Sequence, residues 1–531
     1  MTQLSKETIR EIVKQAAQYA QPSHNVTAQG GGGGVETRYR GASRGLRSLL
    51  GWLPGVRSAI ADLPTNERQM LVGRSRDAMR NHLIARAAIM RQRTSVVGTG
   101  LVCYAQVNAQ KLGISTEQAQ ELNSQLDLIW EMYALNPVEC DAEATLNHYQ
   151  LQGLVLISAL VNGDAFVATP YIKREGTQFG TRLQVIEADR VCNPADGFDT
   201  ENMVDGVEFD KYGAPIAYHI ASTYKIDRIN GNFGERKWQR LPAFGKHTGR
   251  RRTLHVMNEK ERPGQKRGVP YLAPVLEPLQ KLERYSSAEL MAAVISAFFT
   301  VFIKKTDGFN DGGLPMAAMG SHVPTEDTGT PDIQLGEGAI VDLGEGEEPV
   351  TVNPARPNAQ FDPFFTAVVK QIGAALEIPI EELLLNYDKS YSAARAAMLQ
   401  AWRYYSLRRW WLVSEFCKPT RELVIDEAVA KGMINLPNYV DPIKRHAYLN
   451  ALWVGPARGA IDELKEANAA GKRIEIGVSN VAMECAAMSG EPYADIYSQR
   501  LLEIQKAKQD GIYTEPQAKP TSSPPIEDEK D

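Results

Sequence analysis

Apolar residues recur mostly three or four positions apart through Leu272, Val275, Leu276, Leu279, Leu282, Leu290 and Val294, with Lys281, Glu283 and Arg284 between them. That spacing lays one apolar stripe along a helix. Pro274 and Pro278 lack a backbone N–H and are tolerated only in a first turn, so the continuous helix is expected after them. A second stripe begins at Phe361, passes through Phe365, Val368, Val369, Ile372 and Leu376, and stops at Ile378-Pro379. A third starts behind residues 389–392 and runs through Ala394, Met398, Trp402, Tyr405, Leu412 and Phe416. Three amphipathic helices are therefore expected. A long insert over 304–357 separates the first two, and a short polar loop over 386–390 separates the last two, with Ser390 or Ser392 as the N-cap of the third helix.

Elsewhere the pattern is mixed. Glu117 to Leu135 reads as a helix and Leu151 to Val161 as an apolar run that packs against something. Alternation over 206–220 predicts a hairpin whose turn lies near Lys211 to Ala214, with Gly213 free to take positive φ. Helical blocks are expected over 441–453, 459–470 and 493–510, after a turn following Gly432. Short strands are expected around Ala339 to Leu343 and Pro349 to Asn353. Met291 to Ile303 is the most apolar stretch, but a bilayer needs roughly 20 such residues, so it reads as a buried or intersubunit helix. The N-terminus has no apolar signal core and reads as an amphipathic helix to about Ala20, so synthesis in the cytoplasm is expected. A glycine run over 30–34 reads as a flexible linker, and the Pro- and Ser-rich acidic stretch 514–531 as disordered.

Chemistry changes the picture in few places. At 531 residues the chain exceeds what one core normally serves, so several subdomains are expected. A net charge of -5 makes the whole chain no nucleic-acid glue. Arginines gather early, from Arg38, Arg40 and Arg44 through Arg68, Arg74 and Arg76 to Arg86, Arg91 and Arg93, against only Asp62, Glu67 and Asp77. They suit either phosphate contact or a solvated surface with structural ion pairs. Between Glu326 and Glu348 the insert carries eight carboxylates and no Lys or Arg. Trp402, Tyr404, Tyr405, Trp410 and Trp411 alternate with arginines, but duplex DNA offers no free base faces, so core or subunit interface is the expected use. Five cysteines without a CxxC pair are expected to be reduced and mostly buried, and the eight histidines stand outside metal-ligand spacing, so no metal and no cofactor is expected. The sequence contains no GxxxxGK[ST], HExxH or GxSxG motif, so the chain is read as not an enzyme.

Several strings together resemble the lambda-type portal proteins of tailed bacteriophages. They are Arg-Pro-Gly-Gln-Lys-Arg-Gly-Val-Pro at 262–270, Ile-Pro-Ile-Glu-Glu-Leu-Leu at 378–384 and the Tyr-Ser-Ala-Ala-Arg run at 391–403. Arg-Ser-Arg-Asp-Ala-Met-Arg-Asn-His at 74–82, Val-Val-Gly-Thr-Gly-Leu at 96–101, Gly-Val-Glu-Phe at 206–209 and Asp-Pro-Ile-Lys-Arg at 441–445 fall in the same family order, as do Ala-Leu-Trp-Val-Gly-Pro-Ala-Arg at 451–458 and Asp-Glu-Leu-Lys-Glu at 462–466. The match runs over roughly residues 35–513.

The resemblance implies an α+β, mainly helical portal fold that assembles into a ring with an axial channel, usually of about twelve subunits. It divides the chain into an N-terminal arm (1–37), a wing (38–270), a stem helix (271–303), a clip (304–357), a second stem helix (358–385), a tunnel loop (386–391), a long helix returning to the wing (392–435), a crown (436–513) and an acidic tail (514–531). Tyr387, Lys389 and Arg395 would then line the DNA channel, and Glu337, Asp342, Glu345, Glu347 and Glu348 of the clip would meet the terminase and the adaptor. Expected partners are other copies of the chain, double-stranded DNA bound without sequence preference, the terminase large subunit, the head-tail adaptor, the major capsid protein and scaffold, and no membrane. The expected location is the portal vertex of the virion, after assembly in the host cytoplasm. Two alternatives stay open on the residues alone: a nucleic-acid-processing enzyme or loader, and another capsid or tail-completion protein.

Overall fold

The structure is a computed structural model that describes residues 46–224, 236–297, 301–305, 347–351, 358, 360–386, 391–457, 463–491 and 493–513. The expected N-terminal helix, the glycine run, Arg38, Arg40, Arg44 and the acidic tail lie outside these residues. Residues up to Arg57 form a unit of their own, whose described part holds one 3-10 turn, Arg47–Leu49. Everything from Ser58 onward forms the second unit, an α+β body.

That body begins with helices α1 (Thr65–Asn81) and α2 (Leu83–Val96). His82 sits between them: its ring accepts from the Ala85 N–H at the start of α2, and its Nε2 meets the Leu279 carbonyl at 2.9 Å. Strand β1 (Val102–Ala105) leads to α3 (Thr116–Ala134), entered through a capping box of Ser115 and Gln118, and α4 (His148–Asn162) is entered through one of Asn147 and Gln150. The helix expected over 117–135 is thus present, and the apolar run 151–161 proves to lie within a helix as well, each started by a side chain that satisfies the first free N–H groups.

Two small sheets follow. Strands β2 (Asp164–Ala168), β3 (Gln184–Ile186) and β8 (Thr253–Met257) form one in the order β3-β2-β8. The other runs β4 (Met203–Val204), β5 (Val207–Phe209), β6 (Pro215–Ala221), β7 (Trp238–Pro242), each antiparallel to the next. The β5–β6 hairpin is the one the alternation predicts. Gly213 has φ +86, and Asp210 Oδ1 accepts from the N–H groups of Tyr212 and Ala214 at 2.9 and 2.8 Å.

Residues 262–270 are structural, and the geometry says why. Asp164 opens β2 fully buried, and Arg267 reaches it with two hydrogen bonds of 2.7 and 3.1 Å. Burial alone would push the Asp164 carboxyl up, but Arg267 and His255 hold it well below the usual carboxylate range. Arg267 also donates to the carbonyls of Ala188, Val191 and Asp205, and Asp205 pairs with buried Arg68. A buried pair persists only with such additional hydrogen bonds. Beside it Gly163 and Gly268 meet backbone to backbone, and a Cβ on either would overlap the other's carbonyl.

The helix α5 (Leu276–Ala297) starts after Pro274 but two residues before Pro278, earlier than expected, because Pro278 falls in the first turn, where its missing N–H would have no partner in any case. The apolar run to Ile303 is not one helix. It passes from α5 into β9 (Val301–Lys305), where β-branched and aromatic residues favour extended backbone, and Leu290, Met291 and Val294 are exposed on the single chain. Strand β10 (Glu347–Thr351) pairs antiparallel with β9 and covers part of the strand expected at 349–353; the one expected at 339–343 lies outside the described residues.

Then come α6 (Phe361–Ala375), the short α7 (Ile380–Leu384) and α8 (Tyr391–Leu412), which continues through a π-helical turn, Val413–Cys417, into α9 (Lys418–Ala430). The block expected as helix over 441–453 divides into α10 (Pro442–Tyr448) and a strand, β11 (Ala451–Val454), which pairs antiparallel with β1. Asp441 caps α10, and the Leu-Trp-Val segment after it prefers a pleated surface to a last helical turn. Helices α11 (Glu463–Glu475), α12 (Val481–Met488) and α13 (Tyr493–Gln509) close the described chain. The main core joins α2, α3, α4, β2, β8, α5, α6, α8 and α9 around Trp130, Tyr133 and Phe416. All five cysteines are free, four of them buried, and burial pushes the Cys103 and Cys140 thiols up to about 12.

Candidate channel loop and docking sites

The loop expected to face DNA springs from a rigid base. Helix α6 ends at Ala375, and the chain reverses through Glu377 at φ +54, with the Ile378 N–H bonded to the Gly373 carbonyl at 2.9 Å. A Cβ on Gly373 would lie 2.6 Å from the Ile378 carbonyl, so this turn needs the glycine. The carbonyl of Leu376 accepts from the Tyr271 hydroxyl, which in turn accepts from Gln92 Nε2 at 3.1 Å. Tyr271 belongs to the stretch just after the buried Arg267, so one buried hydroxyl ties α2 and the approach to α5 to the end of α6. Helix α7 is tied as well: Ser95 donates to Glu382 at 3.1 Å, and Leu385 leaves the helix at φ +54. Four residues after Leu385, the chain has entered the segment that leads into α8.

Helix α8 is held by its arginines. Arg408 donates to the Tyr404 hydroxyl at 2.8 Å and to the backbone and side-chain oxygens of Asn258 at 2.9 and 2.8 Å. Arg409 donates to the carbonyls of Ser95, Val96 and Pro456 at 3.2, 3.3 and 3.1 Å, capping the C-terminus of α2. Burial lowers the Arg409 pKa to about 10, and the Trp402 ring lies 5.0 Å away. A Cβ on Gly455 would come within 2.7 Å of Arg409 Nε, which accounts for the glycine after β11. Much of the aromatic and arginine-rich part of α8 is therefore internal wiring, with Tyr404, Tyr405 and Arg408 buried, while Arg403 and Trp410 are exposed.

Of the residues expected in the channel, Tyr387 and Lys389 lie outside the described residues. Arg395 lies on the second turn of α8 and pairs with Glu466 of α11 at 3.4 Å, so its charge is shared with the C-terminal helices. On the clip, Glu337, Asp342 and Glu345 lie outside the described residues, while Glu347 and Glu348 occupy the start of β10. There the backbone register sets Glu347 opposite Lys305 and Glu348 opposite Lys304.

Among the early arginines the structure sorts internal from external. Arg68 is buried on Asp205, and Arg76 pairs with Glu187 and Asp189 and donates to Asn162. Arg74, Arg80, Arg86 and Arg93 are exposed. Sequence reasoning missed Tyr271, Gly373 and Arg409 as supports of the loop, because their partners are backbone carbonyls far along the chain. The one available signal was that Tyr271 directly follows residues 262–270. Among the described residues no group of three or more His, Cys, Asp or Glu side chains is placed to hold a metal, and no helix is long and apolar enough to cross a membrane.

The fold is that of an α+β protein in which a helical platform carries α7 and α8 on either side of residues 387–390, and a two-stranded ribbon, β9 and β10, lies in the chain between α5 and α6. The family model described as phage portal protein, lambda family, matches residues 46–409. The chain belongs to that family and is a portal protein of the virion. It is similar to the portal protein of Escherichia phage N15, at 25% identity over 89% of this chain and 91% of the relative. Portal protein B of Escherichia phage lambda matches at 25% identity over 89% of this chain and 90% of its own length. Among solved structures, the neck of a native gene transfer agent particle computed with C12 symmetry aligns over 79% of this chain and 94% of that chain, at 12% identity and a TM-score of 0.40.

Proposed function

We propose that the chain forms a closed homo-oligomeric ring at one capsid vertex, with loop 386–391 lining an axial channel for double-stranded DNA. The observation that carries this is the platform. Tyr271, Gly373 and the Ser95–Glu382 bond fix the base from which the loop leaves, on an element whose other end is wired into the core. A conducting loop needs such a base, because a contact that must stay weak against sliding DNA also has to stay in place. In this reading Tyr387 and Lys389 meet phosphates transiently, and Arg395, held by Glu466, steadies the first turns of the helix behind them.

The ribbon of β9 and β10 and the acidic insert between them form the clip, which meets the terminase large subunit during packaging and the head-tail adaptor afterwards. The major capsid protein and scaffold contact the ring from the capsid side. The C-terminal helices form the crown. The apolar residues left exposed on α5, Leu290, Met291 and Val294, suit a subunit interface.

Native mass spectrometry with negative-stain imaging of the purified protein tests the ring. Closed rings of about twelve subunits with an axial hole are expected, and a stable monomer or dimer at micromolar concentration would refute the reading. For the clip, reversing Glu337, Asp342 and Glu345 to lysine should weaken terminase binding with the ring intact. Unchanged binding would remove the acidic insert from the docking surface.

A further inference from the structure

A cavity of about 740 Å³ lies between the end of α8, the start of α9, helix α10 and strand β11, and the channel reading makes no use of it. One side is formed by β11. The Gln106 N–H bonds to the Asn450 carbonyl at 2.9 Å, while the Ala105 N–H turns the other way to Asp127 Oδ1 at 2.7 Å. Antiparallel pairs alternate between facing and outward groups. Ala451 and Trp453, the register partners of Ala105 and Cys103, therefore direct their N–H and C=O groups away from β1. Among the described residues no strand pairs with this outer edge, and both residues line the cavity. An open edge is a template for an added strand.

The second observation is Arg421. It is 2% exposed, lines the same cavity, and donates from Nη1 to the Leu449 carbonyl at 3.0 Å. Its Nε and Nη2 have no hydrogen-bond partner among the described residues. A buried guanidinium with two idle donors is costly, and a carboxylate fits such a fork. Charge agrees: Lys418 and Arg421 line the cavity together with Arg409 and Arg445, against Glu422 alone. Arg409 and Arg445 are already engaged, by carbonyls and by Asp426 respectively, which leaves the first two for a ligand. Trp410 and Val440, 69% and 94% exposed, offer an apolar contact beside them.

We infer that this groove binds an extended acidic segment of a partner protein. The segment adds as a strand to the outer edge of β11, sets one carboxylate on Arg421 and lays an apolar side chain against Trp410 and Val440. The inference is independent of the channel and the ring, since its readout is binding at the groove.

The experiment is fluorescence anisotropy with a labelled peptide, Glu-Ile-Glu-Val-Glu, and its counter-probe Lys-Ile-Lys-Val-Lys, on the full-length protein. The acidic peptide should bind at least about tenfold more tightly than the basic one, and Arg421→Met should cost about tenfold or more. Because Arg421 is buried and its variant could fail to fold, Trp410→Ala and Lys418→Glu, both at the surface, should each weaken the acidic peptide while leaving the melting temperature near the parent's. Equal binding of the two peptides, or binding that survives both surface variants, overturns the proposal. So does absence of binding to the folded protein, which would mean that a second copy or another part of the chain already covers the groove.

Discussion

Single side chains decide where this molecule is brittle. His148 is fully buried against Phe416, ring centroids 5.3 Å apart, with neither ring nitrogen hydrogen-bonded among the described residues. Burial lowers its pKa from 6.5 to about 3. Between those values the unfolded chain binds a proton that the folded chain refuses, so stability is full above about 6.5 and falls as the pH drops toward about 3. At pH 5 the loss from this one ring is about 2 kcal/mol. His148→Phe keeps the stacked shape and should flatten the decline in melting temperature between pH 7 and 5; an unchanged slope would assign the acid sensitivity to other groups. Tyr271→Phe removes only the hydroxyl on the Leu376 carbonyl and should leave assembly intact. Amide hydrogen exchange over residues 376–386 should quicken, and protection equal to the parent's would show that Gly373 and Ser95 hold the turn without it. Neither role was legible in the sequence, because a lone His or Tyr names no partner. The roles of Gly163 and Gly268 were hidden for the same reason: each glycine is required by a backbone more than a hundred positions away.

At the scale of elements, the helices of the platform were legible wherever a stripe and a stop signal coincided. Pro274 marked the start of α5 to within two residues, although Pro278 lies inside it, and Ile378-Pro379 marked the break after α6. Runs without a stop were read too long. Met291 to Ile303 and residues 441–453 each contain a change from helix to strand that apolar content alone does not announce. The π-helical turn is another hidden feature. Pro419 follows it by two residues in what is otherwise one helix from Tyr391 to Ala430. In regular α-helix the Pro419 ring would press on the Glu415 carbonyl and leave it without a donor. A wider turn gives the ring room, and insertions of this kind are a known way for a helix to absorb an extra residue. Deleting Ser414 should close the turn and cost about 3 kcal/mol with Pro419 in place, yet be tolerated in a Pro419→Ala background. A double-mutant cycle read by urea denaturation measures that coupling, and additive effects would mean that the π turn has another cause.

For the whole molecule, the proposed conduit for DNA can be weighed against the distribution of charge. The net charge of the chain is -5, buried Arg267 and Arg68 are committed to Asp164 and Asp205, half-buried Arg76 to Glu187 and Asp189, and Arg395 is shared with Glu466. Lys389 is the cation that the proposed channel reading offers to phosphate, and exposed arginines such as Arg74, Arg80, Arg86 and Arg93 offer a second set. Family membership was legible from motifs whose order the fold preserves, whereas the division of these cations was not, since burial depends on the whole tertiary arrangement. The two sets predict different behaviour. A ring that presents one lysine per loop to the duplex neutralises several phosphates at once, and each counterion released steepens the fall of log K with log salt by roughly 0.9. Duplex held by the assembled ring should therefore be lost steeply as salt rises, and Lys389→Ala should make that dependence markedly shallower, with little effect on ring mass. Lys389→Arg, with a fork that grips phosphate more firmly, should slow packaging by the terminase more than it changes equilibrium binding. If the salt slope survives Lys389→Ala but falls when Arg86 and Arg93 are replaced by alanine, the duplex meets the outer helices instead, and the loop is a structural collar.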